Sequence, residues 1–165
     1  MNLKRISKIL EDTNELKVRQ IILDTAEKKK QIIYGKRAIN RQLPIHLRTD
    51  TEDYDILTHK PKKSAVELAK SLKSYTREPV TVKKAKHKGT YKVKIGTKTV
   101  VDYTQLKRIP QAKTSYGNRF KDIKSIKKGI KRSLKKPGNE YRKEKDTQSL
   151  SNIKEMERIE RVFNS

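Results

Sequence analysis

Between residues 31 and 105 the spacing of apolar residues switches repeatedly between a period of two and a period of three to four. A chain with that alternation is expected to form a sheet interleaved with helices. Gln31-Ile32-Ile33-Tyr34 is short, β-branched and aromatic and stops at Gly35, which predicts a buried strand running into a glycine turn. Helical character resumes from Lys36 and lasts to Pro44. The segment Glu52 to Thr58 alternates acids with Tyr54 and Ile56 and predicts a second strand with acids on one face. Pro61 stands at a first-turn position, and Ala65, Leu68, Ala69 and Leu72 form the stripe of an amphipathic helix. Val80 with Val82, the run 90–95 and the run 99–104 are separated by glycine turns at 87–89 and 96–97, and predict a three-stranded meander.

The flanks read as helical. Residues 3–30 place Leu3, Ile6, Ile9 and Leu10, then Leu16, Val18, Ile21, Ile22 and Leu23, at helical spacing, with Asp12-Thr13-Asn14 as a break between two helices. Pro110 is expected to close the strand region. From Tyr116 onward, Phe120, Ile123, Ile126, Ile130 and Leu134 predict one helix, ended by Pro137-Gly138-Asn139, and Leu150, Ile153, Met156, Ile159 and Val162 predict a last one. The expected fold is therefore α+β, a mixed sheet flanked by helices with further helices at the C-terminal end. Its expected divisions are a helical segment at 1–30, a core at 31–110 and a basic helical extension at 111–165 packed on that core.

Charge narrows the range of partners. The chain carries 43 Lys and Arg against 19 Asp and Glu, a formal charge of +24, and such a field attracts phosphates. Half of the excess lies in residues 104–145, with 15 basic and 3 acidic side chains. Lys124, Lys127, Lys128, Lys131, Arg132 and Lys135 have scarcely an acid among them and are expected to track a nucleic-acid backbone. Cysteine is absent, which excludes disulfides and thiolate metal sites, and the three histidines lack metal-ligand spacing. Any metal would be held by oxygen. Charges interrupt every apolar stretch of the N-terminus, and no later run is long enough to span a bilayer, so neither a signal peptide nor a membrane anchor is expected. The expected location is the cytoplasm or a virion.

Asp53 and Asp55 fall on one face of a single predicted strand, about 7 Å apart along the backbone by the rise per residue, where both carboxylates can turn to one hard cation. Asp102 stands in the β-run 99–104 behind Val100 and Val101, a position where an acid needs either exposure or a cation. If the two strands are neighbours, the three acids suit a pair of Mg²⁺ ions. Upstream, Gly35 lets backbone amides approach a phosphate at a helix N-terminus, with Lys36 and Arg37 adding positive charge.

In this order the segments Ile32 to Asn40, Thr51 to Leu57 and Val100 to Thr104 resemble the nucleotidyltransferase superfamily, the fold shared by DNA polymerase beta, poly(A) polymerases, CCA-adding enzymes and minimal nucleotidyltransferases. The pattern there is a glycine turn opening a helix, an Asp-x-Asp strand and a third acid on a later strand. Glu140 to Asp146 is similar to an Arg-x-x-Lys-Asp helix that follows the core in several small members. The resemblance covers roughly residues 31–150. It implies Asp53, Asp55 and Asp102 as catalytic and metal-binding residues, Gly35, Lys36 and Arg37 at the phosphates, an NTP substrate, Mg²⁺, and transfer of a nucleoside monophosphate to a nucleic-acid or protein hydroxyl. Lys36 departs from the small residue usual at the second position of the glycine motif. A different reading of the same residues is a relaxed site on a basic scaffold that coats nucleic acid in a virion or ribonucleoprotein particle. Another is the transferase half of a toxin and antitoxin pair, and both would engage protein partners. Tyr34 and Tyr54 are candidates for stacking on a base, and His59 for acid or base chemistry.

Overall fold

The computed structural model describes residues 2–165. It is an α+β fold built on one mixed seven-stranded sheet. Helix α1 (Leu3–Lys28) is capped by the Asn2 side chain, which accepts from the amide of Lys4. The expected break at residues 12–14 does not occur, and α1 runs unbroken through it. Its second half buries Val18, Ile22 and Ala26 at a spacing of four, and its first half leaves Leu3, Ile6 and Leu10 exposed.

Strand β1 (Ile32–Tyr34) passes directly into α2 (Gly35–Gln42), then β2 (Tyr54–Thr58) and α3 (Pro61–Leu72), with Pro61 in the first turn as its fixed φ favours. Strands β3 (Val80–Lys84), β4 (Thr90–Ile95) and β5 (Lys98–Gln105) form the expected antiparallel meander. The strand order is β3-β4-β5-β2-β1, and it continues through two strands beyond Pro110.

Those two strands correct the sequence reading. Residues after Pro110 form β6 (Ala112–Ser115) and β7 (Asn118–Lys121), a hairpin whose turn places Tyr116 and Gly117 at φ of 48° and 83°. A two-residue turn with both positions at positive φ matches the right-handed twist of its strands, and glycine at the second position is its usual signal. β7 pairs parallel with β1, setting Phe120 beside Ile33. Phe120 therefore belongs to the sheet, and α4 begins only at Ile123 (Ile123–Lys135). The side chain of Gln42 ties this junction together, donating to the carbonyls of Ala38 and Lys121 and accepting from the amide of Ile123. A single 3-10 turn at Glu140–Arg142 leads into α5 (Lys143–Phe163), which packs Ile153 and Met156 inward.

The two sheet faces differ in chemistry. Ile33, Ile56, Val93, Val101 and Tyr103 are fully buried on one of them, each aliphatic worth about 1.5–3 kcal/mol of burial. Helix α3 covers that face, its Ser64 hydroxyl bonding Thr58 and Gln31. The alternate residues point the other way, and they carry the acids.

Candidate active site

Sheet register assembles the site. Tyr34 lies opposite Asp55, Asp55 beside Asp102 across the parallel β2–β5 pair, and Asp102 opposite Lys92 across the antiparallel β5–β4 pair. Four strands thus contribute one transverse row, Tyr34, Asp55, Asp102 and Lys92, whose side chains share a face by the period of two. Asp53 stands just before β2. Carboxylate oxygens of Asp53, Asp55 and Asp102 all lie within 4.8 Å of one another, with each residue partly buried.

Three anions that close repel strongly in a partly dehydrated place. The Asp55 carboxyl is raised to about 7, first by its burial and then by the charges of Asp53 and Asp102, with Lys145 and Lys92 acting in the opposite direction. Lys92 Nζ reaches both oxygens of Asp102 at 3.0 and 3.2 Å. The donor set is all hard oxygen, it is short of positive charge, and its oxygens are near enough to share an ion, so it fits divalent cations such as Mg²⁺.

Gly35 has a steric duty beside this trio. Its φ is 65°, and a Cβ there would run into Oδ2 of Asp55. Only glycine accepts both the left-handed backbone and the carboxylate against it. Among the described residues no side chain caps the first turn of α2, so its leading amides remain available to an anion. Lys36 sits in that turn, partly buried. Arg37 points elsewhere: its guanidinium donates to the carbonyls of Asp53 and Glu52 at 3.1 and 3.2 Å and stacks 4.2 Å from the centre of the Tyr54 ring. It braces the segment that presents Asp53.

Tyr54 is consequently buried beneath Arg37 and has no open face for a base. The Tyr34 hydroxyl bonds Thr104 Oγ1 at 2.8 Å, and Thr104 in turn meets Thr90 at 2.9 Å. Burial and the Asp55 charge push the Tyr34 phenol up to about 12, so it stays neutral beneath the acids. His59 is exposed at the far end of β2, away from the trio.

The start of α5 also approaches the row. Arg142 is felt by Tyr34, Lys145 by Asp55, and Asp146, only 4% exposed, holds Arg142 at 3.5 Å. Lys92 had no signal in the sequence, because its pairing with Asp102 depends on a register that no local pattern specifies. On α4, Lys124, Lys128, Lys131, Arg132 and Lys135 are exposed with no carboxylate partner among the described residues. Lys127 differs: it forms an ion pair with Glu157 of α5 at 2.7 Å.

A glycine turn opening a helix beside three converging aspartates on a mixed sheet defines a nucleotidyltransferase fold. The solved structures agree. The chain superposes on the Megavirus polyadenylate synthase with a TM-score of 0.76 at 18% identity over 93% of its own length, and on JHP933 from Helicobacter pylori with 0.55 at 18% over 85%. It spans 36% of the former chain and 64% of the latter. Residues 20–127 match the family described as the poly(A) polymerase catalytic subunit, and the chain belongs to that family. No curated protein matches it in sequence. Among the described residues no helix is long and apolar enough to cross a membrane.

Proposed function

We propose that this chain transfers a nucleoside monophosphate from an NTP to a hydroxyl of a nucleic-acid strand, using Mg²⁺ held by Asp53, Asp55 and Asp102. The convergence of the three carboxylates within 4.8 Å carries the reading. Bound divalent ions would supply charge neutralisation at the reacting phosphate and lower the proton affinity of the attacking hydroxyl. Asp53 and Asp55 hold that charge, and Arg37 fixes Asp53 by gripping its carbonyl. The uncapped first turn of α2, with Lys36, receives phosphate oxygens, while Arg142 and Lys145 add positive charge from α5.

Asp102 lies where it can accept the acceptor's proton once Lys92 is drawn off it. The new bond joins the acceptor oxygen to the α-phosphorus, and the bond that breaks releases pyrophosphate. An intact acid trio favours an enzyme over a relaxed scaffold, and the exposed lysines of α4 suit an RNA or DNA acceptor.

The decisive experiment is incorporation of labelled nucleotide into an oligonucleotide by Asp55→Asn. Incorporation should fall by about 10²–10³-fold or more while the fold, read by circular dichroism, persists. Wild-type incorporation by that variant removes the catalytic assignment.

A further inference from the structure

On the sheet face opposite the acids, β4 and β5 turn Tyr91 and Gln105 toward α3, and the hairpin joining β3 to β4 overhangs them. Together they line an open hollow of about 1060 Å³. Its rim is cationic. Lys60 stands at the entry to α3, the helix contributes Lys62, Lys63 and Lys70, the hairpin Lys84 and Lys88, and the segment after β5 Lys107, all exposed.

Among the described residues one carboxylate, Glu67, lines the hollow, and it is already engaged by Lys29, with Lys63 at 4.0 Å. The other six rim lysines have no ion-pair partner among the described residues. The floor is apolar and aromatic, formed by the partly buried Tyr91 with Pro61 and Val66. A second hollow of about 450 Å³ shares His59, Lys60, Lys63 and Glu67 with the first and carries the track on toward Lys30 and Arg119. His59, where the two meet, lies four residues beyond Asp55, about 13 Å along β2 by the rise per residue.

We infer that this basin binds single-stranded nucleic acid, its lysines following the phosphates and its Tyr91 floor receiving a base or sugar, so that a strand whose end is at the acids continues onto the back of the sheet. Point charges around an aromatic floor are how strands are held without sequence preference. A concave, elongated track suits an extended polymer, and a membrane surface would need a flat or convex cationic face. The inference rests on the nucleotidyl-transfer reading only for where the strand end lies.

The test uses a labelled single-stranded oligoadenylate and fluorescence anisotropy across a salt series, in EDTA, with the full chain. A combined Lys62→Ala, Lys70→Ala, Lys84→Ala variant changes exposed side chains without ion-pair partners and should fold as the parent does, which a melting curve verifies. If the basin holds the strand, the slope of log affinity against log salt falls by about 2, near 0.7 for each lost phosphate contact. Tyr91→Leu, which keeps the apolar bulk, should weaken binding roughly tenfold at every salt concentration with an unchanged slope. Wild-type affinity and slope in the triple variant overturn the inference. Because binding is read without divalent ions or turnover, an inactive wild-type protein with a salt slope lost in the triple variant sinks nucleotidyl transfer and leaves the basin standing. The reverse pattern sinks the basin alone.

Discussion

On one face of β2 and β5 three carboxylates lie within 4.8 Å of one another, and on the other face seven exposed lysines surround a hollow lined by a single acid among the described residues. Both are excesses of one charge, yet they behave differently because they differ in contact with water. The acids are partly buried and set by sheet register, so that burial first, and the charges of Asp53 and Asp102 second, raise Asp55 to about 7. The lysines are spread over α3, a hairpin and a strand end, and solvent and salt screen each from the next. The first arrangement should be sensitive to single atoms. The second should respond to single substitutions only weakly and to salt strongly.

The sharpest contrast comes from Gly35→Ala. A left-handed alanine costs about 1–2 kcal/mol by itself, and the added methyl must also displace Asp55. Displacing a reacting group by about 1 Å can cost around 10²-fold in rate. Nucleotide incorporation should therefore drop by roughly that factor or more, with a lower melting temperature. Full activity in Gly35→Ala would show that the trio tolerates movement and that the contrast between the faces is overstated.

Next in size is the pH dependence of stability without divalent ions. A carboxyl near 3.8 in the unfolded chain and about 7 in the folded one favours folding while it is protonated. Its contribution is complete below about pH 4, is lost as pH rises through about 7, and amounts to about 2–4 kcal/mol. Added Mg²⁺ should restore stability above about pH 7 and do little near pH 4, because protons and the cation compete for the same oxygens. Asp55→Asn, neutral throughout, should lose this pH dependence. Urea melts at several pH values, with Mg²⁺ or EDTA, measure all three. A wild-type profile that is flat and indifferent to Mg²⁺ would mean that the acids are better hydrated than their spacing implies.

What the sequence disclosed about these regions follows from the range of the forces involved. The strands at Ile32, Tyr54 and Thr99 and the helix after Pro61 are written in local periodicity, and the Asp-x-Asp pair follows from the period of a strand. Asp102 was legible because an acid inside a β-branched run demands an explanation. Phe120 misled, since its spacing to Ile123 fits a helix as well as a strand end, and the Tyr116-Gly117 turn that decides between them is only two residues long. The break expected at residues 12–14 treated polar residues as a cap, whereas a helix with an exposed first half tolerates them. Arg37 and Lys92 could not be read correctly, because their partners, the Asp53 carbonyl and the Asp102 carboxylate, are defined by tertiary placement. The basin was invisible for the same reason: its lysines are scattered from residue 60 to residue 107 and meet only in the fold.

The smallest effects separate α4 from the basin. Lys127 and Lys128 are sequence neighbours of identical type, yet Lys127 is clamped to Glu157 at 2.7 Å and joins α4 to α5, while Lys128 is exposed and has no acidic partner among the described residues. Lys127→Ala should cost up to about 1 kcal/mol, a fall of about 2–4 °C in melting temperature for a domain of this size. Lys128→Ala should leave stability within about 0.5 kcal/mol. If α4 also follows the phosphates, Lys128→Ala should reduce the salt slope of oligoadenylate binding by about 0.7, and Lys127→Ala by less. A Lys128→Ala slope equal to the parent's, beside the loss of about 2 in the basin variant, would leave α4 a solvated face and give the strand to the α3 side alone, because net charge is the same in both single variants and only position differs.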